Sequence, residues 1–221
     1  MNKLHERIEV IYEDLDLIVV EKASGILSYP VENQKSESAI QLIRRYWKVR
    51  GASDRNLYLI HRLDQDTSGL MIFAKTSLAR KSLMDQFQAH SVVRGYLAIT
   101  NGIPGKKKGE LSTYLARNIR GKRAVSTRGG TLAVTQFEVL RANTARNRAL
   151  VRCFLYTGRT HQVRIHLAHL GAGVIGDALY GNGGGARLAL HANTLGFLHP
   201  RTQRPMVFIS SLPFELKRLI S

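Results

Sequence analysis

Apolar positions along this chain fall mostly into short runs separated by polar gaps. The opening IEVIYEDLDLIVVEK holds two such runs around Asp14 and Asp16, which predicts a hairpin or paired strands followed by the Gly-containing turn ASGILSYP. In SESAIQLIRRYWKVR, Ile40, Leu42, Ile43, Tyr46 and Trp47 recur at helical spacing, the pattern of an amphipathic helix. LYLI and LMIFAK read as strands, SLARKSLMDQFQAH sets Leu78, Leu83, Met84 and Phe87 on one side of a second helix, and VVRGYLAIT reads as another strand. AVTQFEVLRA and RALVRCFLYT follow as long strands with a polar gap typical of a hairpin. GRTHQVRIHLAHLGAG starts at a Gly turn and ends at a Gly stop. On an ideal helix its Val163, Leu167 and Leu170 share one face, while His161 and Arg164 project from the other. The tail reads as strands in LALHANTLGFLHP and MVFISS, closed by PFELKRLI as a short helix. Strands dominate and come in adjacent pairs, so the expected fold class is α+β, a mostly antiparallel mixed sheet with flanking helices. The chain shows no repeat and no long linker, and 221 residues suit one domain spanning 1–221.

The gap between LYLI and LMIFAK is the first place where chemistry enters. An ordinary turn needs two or three polar residues, yet HRLDQDTSG, His61 to Gly69, offers His, Arg, two Asp, Thr, Ser and Gly. Asp66 followed by Thr-Ser-Gly is the pattern of a backbone-capping turn. Asp64, two residues from Arg62, is harder to explain structurally. A second polar cluster, Gly158 to His166, presents Arg159, His161, Gln162 and Arg164 just after a strand. If it faces the first, the site is one carboxylate ringed by arginines. Such a ring lowers a carboxylate pKa by ~1–3 units and leaves an ionised nucleophile or base rather than a general acid. A glycosidase-like pair with Asp66 as the second acid is the alternative.

Charge then narrows the partner. Lys and Arg number 33 against 16 acids, a formal net charge of +17 and a pI near 10.5, which favours a polyanion, most often nucleic acid. From Gly105 to Arg128 the chain carries Lys106, Lys107, Lys108, Arg117, Arg120, Lys122, Arg123 and Arg128 against the single acid Glu110, with Tyr114 interleaved. That composition suits a flexible hairpin or loop tracking a phosphate backbone as well as it suits a solvated face. No segment approaches the ~20 apolar residues of a membrane-spanning helix, and MNKLHERIEV lacks a signal-peptide core, so a cytoplasmic location is expected. The lone Cys153 sits in ALVRCFLY and reads as a buried core thiol. His161, His166 and His169 have neither the spacing nor the neighbours of a metal site, so no metal is expected.

HRLDQDTSG, GRTHQVRIH and Tyr96 in RGYLAIT resemble the three hallmark segments of the RluA-type RNA pseudouridine synthases. The likeness runs from IYEDLDLIVVEKASGILSYP through LALHA, nearly the whole chain, and it implies a short, stand-alone member with no RNA-binding domain expected ahead of the catalytic one. Ala23 stands where the family usually has Pro, and Arg94 where it usually has Lys. The resemblance implies a pseudouridine synthase fold with a central catalytic and RNA-binding cleft. It implies that Asp64 is the catalytic aspartate, Arg164 its salt-bridge partner, Tyr96 the residue that stacks on the target uracil, and Arg62 the residue that helps evict the base. His61, Arg159, His161 and the lysines and arginines of the basic stretch are then expected to contact RNA, either tRNA or large-subunit (23S) rRNA. Isomerisation of a base that stays bound requires no redox cofactor, and a monomer is the default. The competing expectations are a base glycosylase and a non-catalytic RNA-binding or ribosome-assembly factor.

Overall fold

In the run LIVVEK every residue except Glu21 is buried, and in SGLMIFA all are, as expected of strands covered on both faces. The computed structural model describes residues 2–5, 7–32, 36–51, 56–118, 121–181, 183 and 187–221. Arg120 lies outside the described residues. The chain divides into two compact units: 1–92 with 194–210, and 93–193 with 211–221.

The first unit holds β1 (Asn2–His5), β2 (Ile8–Glu13), β3 (Leu17–Lys22), α1 (Ala39–Val49), β4 (Tyr58–Leu59), β5 (Ser68–Ala74) and α2 (Ser77–Gln88). Strands β1, β2, β3 and β5 lie side by side, all antiparallel, and β4 pairs with β5 as well. The LYLI strand thus shrinks to two residues, because the polar segment after Ile60 leaves the sheet to form the 61–67 loop. α1 opens with a reciprocal capping box between Ser38 and Gln41, which satisfies two amides that the helix itself cannot. On α2 the buried residues are Ala79 and Leu83, whereas Leu78 and Met84 are 53% and 46% exposed. The expected apolar face is rotated, because the i, i+4 pair of alanine and leucine fits closer to β5 than longer side chains would.

The second unit holds β6 (Val93–Asn101), β7 (Lys108–Arg117), β8 (Arg123–Ser126), β9 (Thr131–Asn143), β10 (Arg148–Leu155), α3 (Gln162–His169) and β11 (Gly173–Val174). Its strand order is β6-β10-β9-β7-β8, antiparallel throughout, with β11 added to β6. β12 (Leu190–Leu198) carries the chain back into the first unit, where Thr194–Leu198 pairs with β13 (Pro205–Ile209), and α4 (Phe214–Lys217) returns it to the second. Val163 and Leu167 of α3 share one apolar core with Ala98, Val151 and Cys153. Burial pushes the Cys153 thiol up to about 12, so this cysteine is an inert core residue.

The described residues of the basic stretch form a hairpin, one of the two arrangements its composition suggests. Tyr114 to Arg117 of β7 pairs with Arg123 to Ser126 of β8, and β7 is also hydrogen-bonded along its other edge to β9. At ~3.4 Å per residue the ten-residue β7 is about 30 Å long. Lys106 to Lys108 therefore sit at one end of it, and Arg117, Lys122 and Arg123 at the other.

Candidate active site

In the first unit the segment from His61 to Thr67 is held by bonds to a second loop, residues 23–28. Ser28 Oγ donates to the Leu63 carbonyl at 2.8 Å and accepts the Leu63 N–H at 2.9 Å, so one hydroxyl satisfies both backbone groups of the residue before Asp64. Lys22 is 0% exposed, and its ammonium donates to the carbonyls of Ala23, Ile26 and Gln65 at 2.9, 2.8 and 2.9 Å. The Gly25 N–H also reaches the Gln65 carbonyl at 3.0 Å, and Ser24 Oγ donates to the Asp66 carbonyl at 2.7 Å. Asp64 itself closes a tight turn, its carbonyl accepting the Thr67 N–H at 3.1 Å. The backbone on both sides of the half-buried Asp64 is thus tied at four points, which fixes where its side chain leaves the chain.

Neighbours of Asp64 divide between structure and exposure. His61 faces the fold: its Nε2 accepts the Ile72 N–H at 3.1 Å, and its ring stacks on Phe87 at 5.0 Å. Arg62 is exposed, its guanidinium lying 5.3 Å from the Tyr29 ring centroid and donating to the Tyr29 hydroxyl at 3.2 Å. The aromatic face leaves the cation at the surface with a defined direction.

The second unit carries the other candidates. Tyr96 lies on β6 opposite Cys153, half-buried with one side against the apolar core. The helix α3 is buried from Gln162 through Leu167, so it does not divide into an apolar and a polar face. Gln162, expected to be presented for function, is instead internal. It accepts from Thr157 Oγ1 and the Arg159 N–H, both at 2.9 Å, and donates to the Val134 carbonyl and Thr135 Oγ1 at 3.0 and 2.9 Å. His166 is likewise internal, bonded to Thr135 at 2.9 Å and Thr113 at 3.0 Å, and burial with the nearby charge of His169 pushes its pKa down to about 4. Arg159 donates to the Leu132 carbonyl at 3.0 Å.

Helical spacing has Arg164 projecting from α3, but it is buried, and its partner explains how. Its Nε and Nη2 donate to the two oxygens of Asp177 at 2.8 and 2.7 Å. Asp177 also accepts the N–H groups of Leu179 and Tyr180, and the Tyr180 ring lies 5.3 Å from the guanidinium carbon. His161, the residue capping α3, has a positive φ of 59°, a left-handed conformation uncommon outside glycine. Its Nδ1 meets the Tyr180 hydroxyl at 3.0 Å. From the tip of the β7–β8 hairpin, Lys122 bonds to the Leu179 carbonyl and stands 4.6 Å from the Tyr180 ring. Sequence reasoning misses Asp177 and Tyr180, although an Asp in the Gly-bounded GDALYG of an acid-poor chain is a usable signal.

Comparison with known proteins assigns this architecture. The family model for RNA pseudouridylate synthase matches residues 16–169. The chain is 37% identical over 216 residues to the uncharacterized RNA pseudouridine synthase YhcT of Bacillus subtilis, covering 96% of this chain and 71% of that one. It is 34% identical over 229 residues to ribosomal large subunit pseudouridine synthase D of Zymomonas mobilis, with the same 96% and 71% coverage. In fold it matches human RNA pseudouridylate synthase domain containing 4 with a TM-score of 0.77 at 24% identity, over 94% of this chain and 90% of that one. The chain belongs to the RNA pseudouridine synthase family, as its motifs imply. These enzymes are isomerases that convert uridine to pseudouridine in RNA.

Proposed function

We propose that this enzyme isomerises uridine in large-subunit rRNA as a cytoplasmic monomer, with Asp64 as its catalytic aspartate. The observation that carries the assignment of Asp64 is the four-point bracing of its loop by Ser28, Lys22, Gly25 and Ser24. The name of the Zymomonas relative favours rRNA, with tRNA as the alternative substrate. The family match of 16–169 takes in parts of both units, which supports reading the chain as one catalytic domain. Among the described residues no helix is long and apolar enough to cross a membrane.

The chemistry follows from what isomerisation demands. The bond from C1′ to N1 breaks and leaves an electron-poor sugar carbon. An ionised Asp64 either traps that carbon covalently or relieves it by removing the 2′ proton. The uracil turns while bound, C5 joins C1′, the C5 proton leaves and N1 gains one, so the product is an isomer of the substrate. Because the base is retained, no second acid is needed to activate water. Tyr96 offers the flat surface on which the free base turns. Arg164 is the proposed catalytic cation, and Arg62 takes the place the base vacates. Extrusion of the base costs a few kcal/mol, offset by contacts from Arg62 and from the cations at the hairpin tip.

The test is tritium release from RNA labelled at uridine C5, comparing wild type with Asp64→Asn on large-subunit rRNA and on tRNA. Release by wild type alone supports the assignment, and the productive RNA names the substrate. An active Asp64→Asn enzyme refutes the role of Asp64, while free uracil as the product points to a glycosylase.

A further inference from the structure

Helix α1 carries a charge pattern that the chemistry at Asp64 does not use. Arg44, Arg45 and Lys48 are exposed, as is Arg50 at the C-terminal end. With 3.6 residues per turn, Arg44, Lys48 and Arg45 fall within an arc of about 100°. A solvated helix face ordinarily mixes acids with bases, because like charges four residues apart repel. Arg44 and Lys48 are such a like-charged pair, and α1 contains no acid. The helix dipole accounts for Lys48 and Arg50 at the C-terminal end, but not for Arg44 and Arg45 in the middle. Glu37, just ahead of the helix, pairs with Arg45 at 2.8 Å and reaches Arg7 at 4.0 Å. Among the described residues no acid is paired with Arg44, Lys48 or Arg50; Arg50 instead lies over the Tyr46 ring, 4.8 Å from its centroid.

This helix starts at the loop that braces Asp64. The Leu27 N–H donates to the Glu37 carbonyl at 3.1 Å and the Ala39 N–H to the Leu27 carbonyl at 2.8 Å, and the residue after Leu27 is Ser28, whose hydroxyl holds Leu63. From that joint the eleven residues of α1 extend about 16 Å, so its cations lie within one helix length of the brace. Its apolar residues Ala39, Leu42, Ile43 and Trp47 are buried, which leaves the helix no apolar face to enter a lipid surface. The polyanion that suits it is RNA, on which the family acts. We propose that the cationic face of α1 is a docking surface for the sugar–phosphate backbone of the substrate RNA beside the target uridine, with Arg44 and Lys48 as its phosphate contacts. This deepens the proposed function and rests on its placement of the uridine at Asp64. Phosphate contacts fix where the RNA lies and carry no sequence information themselves.

The double variant Arg44→Gln with Lys48→Gln removes both charges and keeps helix propensity. Arg80→Gln with Lys81→Gln, at two exposed cations of α2, lowers the net charge equally and is the control. Binding to large-subunit rRNA and to tRNA is read by filter retention across a salt series, and turnover by tritium release. For the α1 variant the slope of log affinity against log salt should shrink by ~1.4–1.8, two phosphates at ~0.7–0.9 each, with affinity at about 0.1 M salt at least about tenfold weaker. The melting temperature should hold, and KM should rise at an unchanged kcat, the mark of lost uniform binding. The control should keep the wild-type slope. An unchanged slope in the α1 variant on both RNAs overturns the proposal, and so does an equal loss in the control, which makes net charge alone the cause. A lower kcat at an unmoved KM also overturns it, by assigning α1 to the catalytic loop instead. Should the double variant melt early, each single variant reads the same effect at ~0.7–0.9. Failure of the proposed function looks different: a wild type that releases no tritium from either RNA, with the slope still reduced in the α1 variant, refutes isomerisation and supports the docking surface.

Discussion

Replacing Lys22 by methionine should loosen the loop that carries Asp64 while leaving the rest of the protein intact. Methionine matches the unbranched lysine stem, so packing of the methylenes is kept, and the change reduces to losing an ammonium with its three bonds to the Ala23, Ile26 and Gln65 carbonyls. The bond to Ile26 is fully buried, and a buried carbonyl stripped of its donor costs about 2 kcal/mol, against about 1 kcal/mol for each part-buried one that water can reach. No longer burying an ammonium returns part of that, which leaves a net loss of about 2–3 kcal/mol. All three acceptors lie in the two loops that frame Asp64, so the loss should appear as local opening rather than global unfolding. Hydrogen exchange at individual amides measures it. At a tenfold change per 1.4 kcal/mol, exchange of the Gly25, Leu63 and Thr67 amides should quicken about 30- to 150-fold, while that of Val151 in the second unit is unchanged. Unaltered protection at Gly25 and Leu63 would refute the claim that Lys22 braces the loop.

Other perturbations test the remaining parts. Tyr96→Ala should lower kcat/KM by about 10- to 100-fold, the worth of one base stacked on an aromatic, and Tyr96→Phe by far less; equal losses in steady-state assays would move the role to the hydroxyl. Removing Arg117, Lys122 and Arg123 together should reduce the slope of log affinity against log salt by ~0.7–0.9 for each phosphate left without its cation, read from RNA binding across a salt series, and an unchanged slope would take the hairpin tip out of the interface. His166, with its pKa held down to about 4 against an ordinary 6.5, stays neutral in the fold where the unfolded chain would take a proton. Its contribution to stability is therefore present above 6.5 and lost as pH falls from 6.5 toward 4. His166→Gln should flatten urea midpoints across that window, and a pH profile matching wild type would contradict the assignment.

Apolar pattern makes most of the elements legible. The helix at α1, the paired strands β9 and β10, and the tail of two strands and a short helix follow the periodicity of the residues, because each buries its side chains at the spacing its backbone dictates. The polar loop around Asp64 is legible for a related reason: its composition exceeds what a turn requires. What pattern cannot separate is polar residues that serve the interior from those that face outward. In GRTHQVRIH, Gln162, Arg164 and His166 look alike as candidates, yet all three are buried, each satisfied by partners far along the chain: Gln162 by Val134 and Thr135, His166 by Thr113 and Thr135, Arg164 by Asp177. Those partners come from other strands and turns, and no local rule brings them forward. The rotated face of α2 has the same origin, since the choice between Ala79 and Leu78 depends on how closely the helix approaches β5.

The length of β7 carries a consequence of its own. Its two cationic ends are about 30 Å apart, so an RNA that engaged both would have to reach across that whole length. A shorter fragment can satisfy one end or the other but never the two together. If the hairpin contacts RNA as proposed, it acts as a ruler whose far end, Lys106 to Lys108, is set apart from the tip beside Tyr180 by the length of the strand.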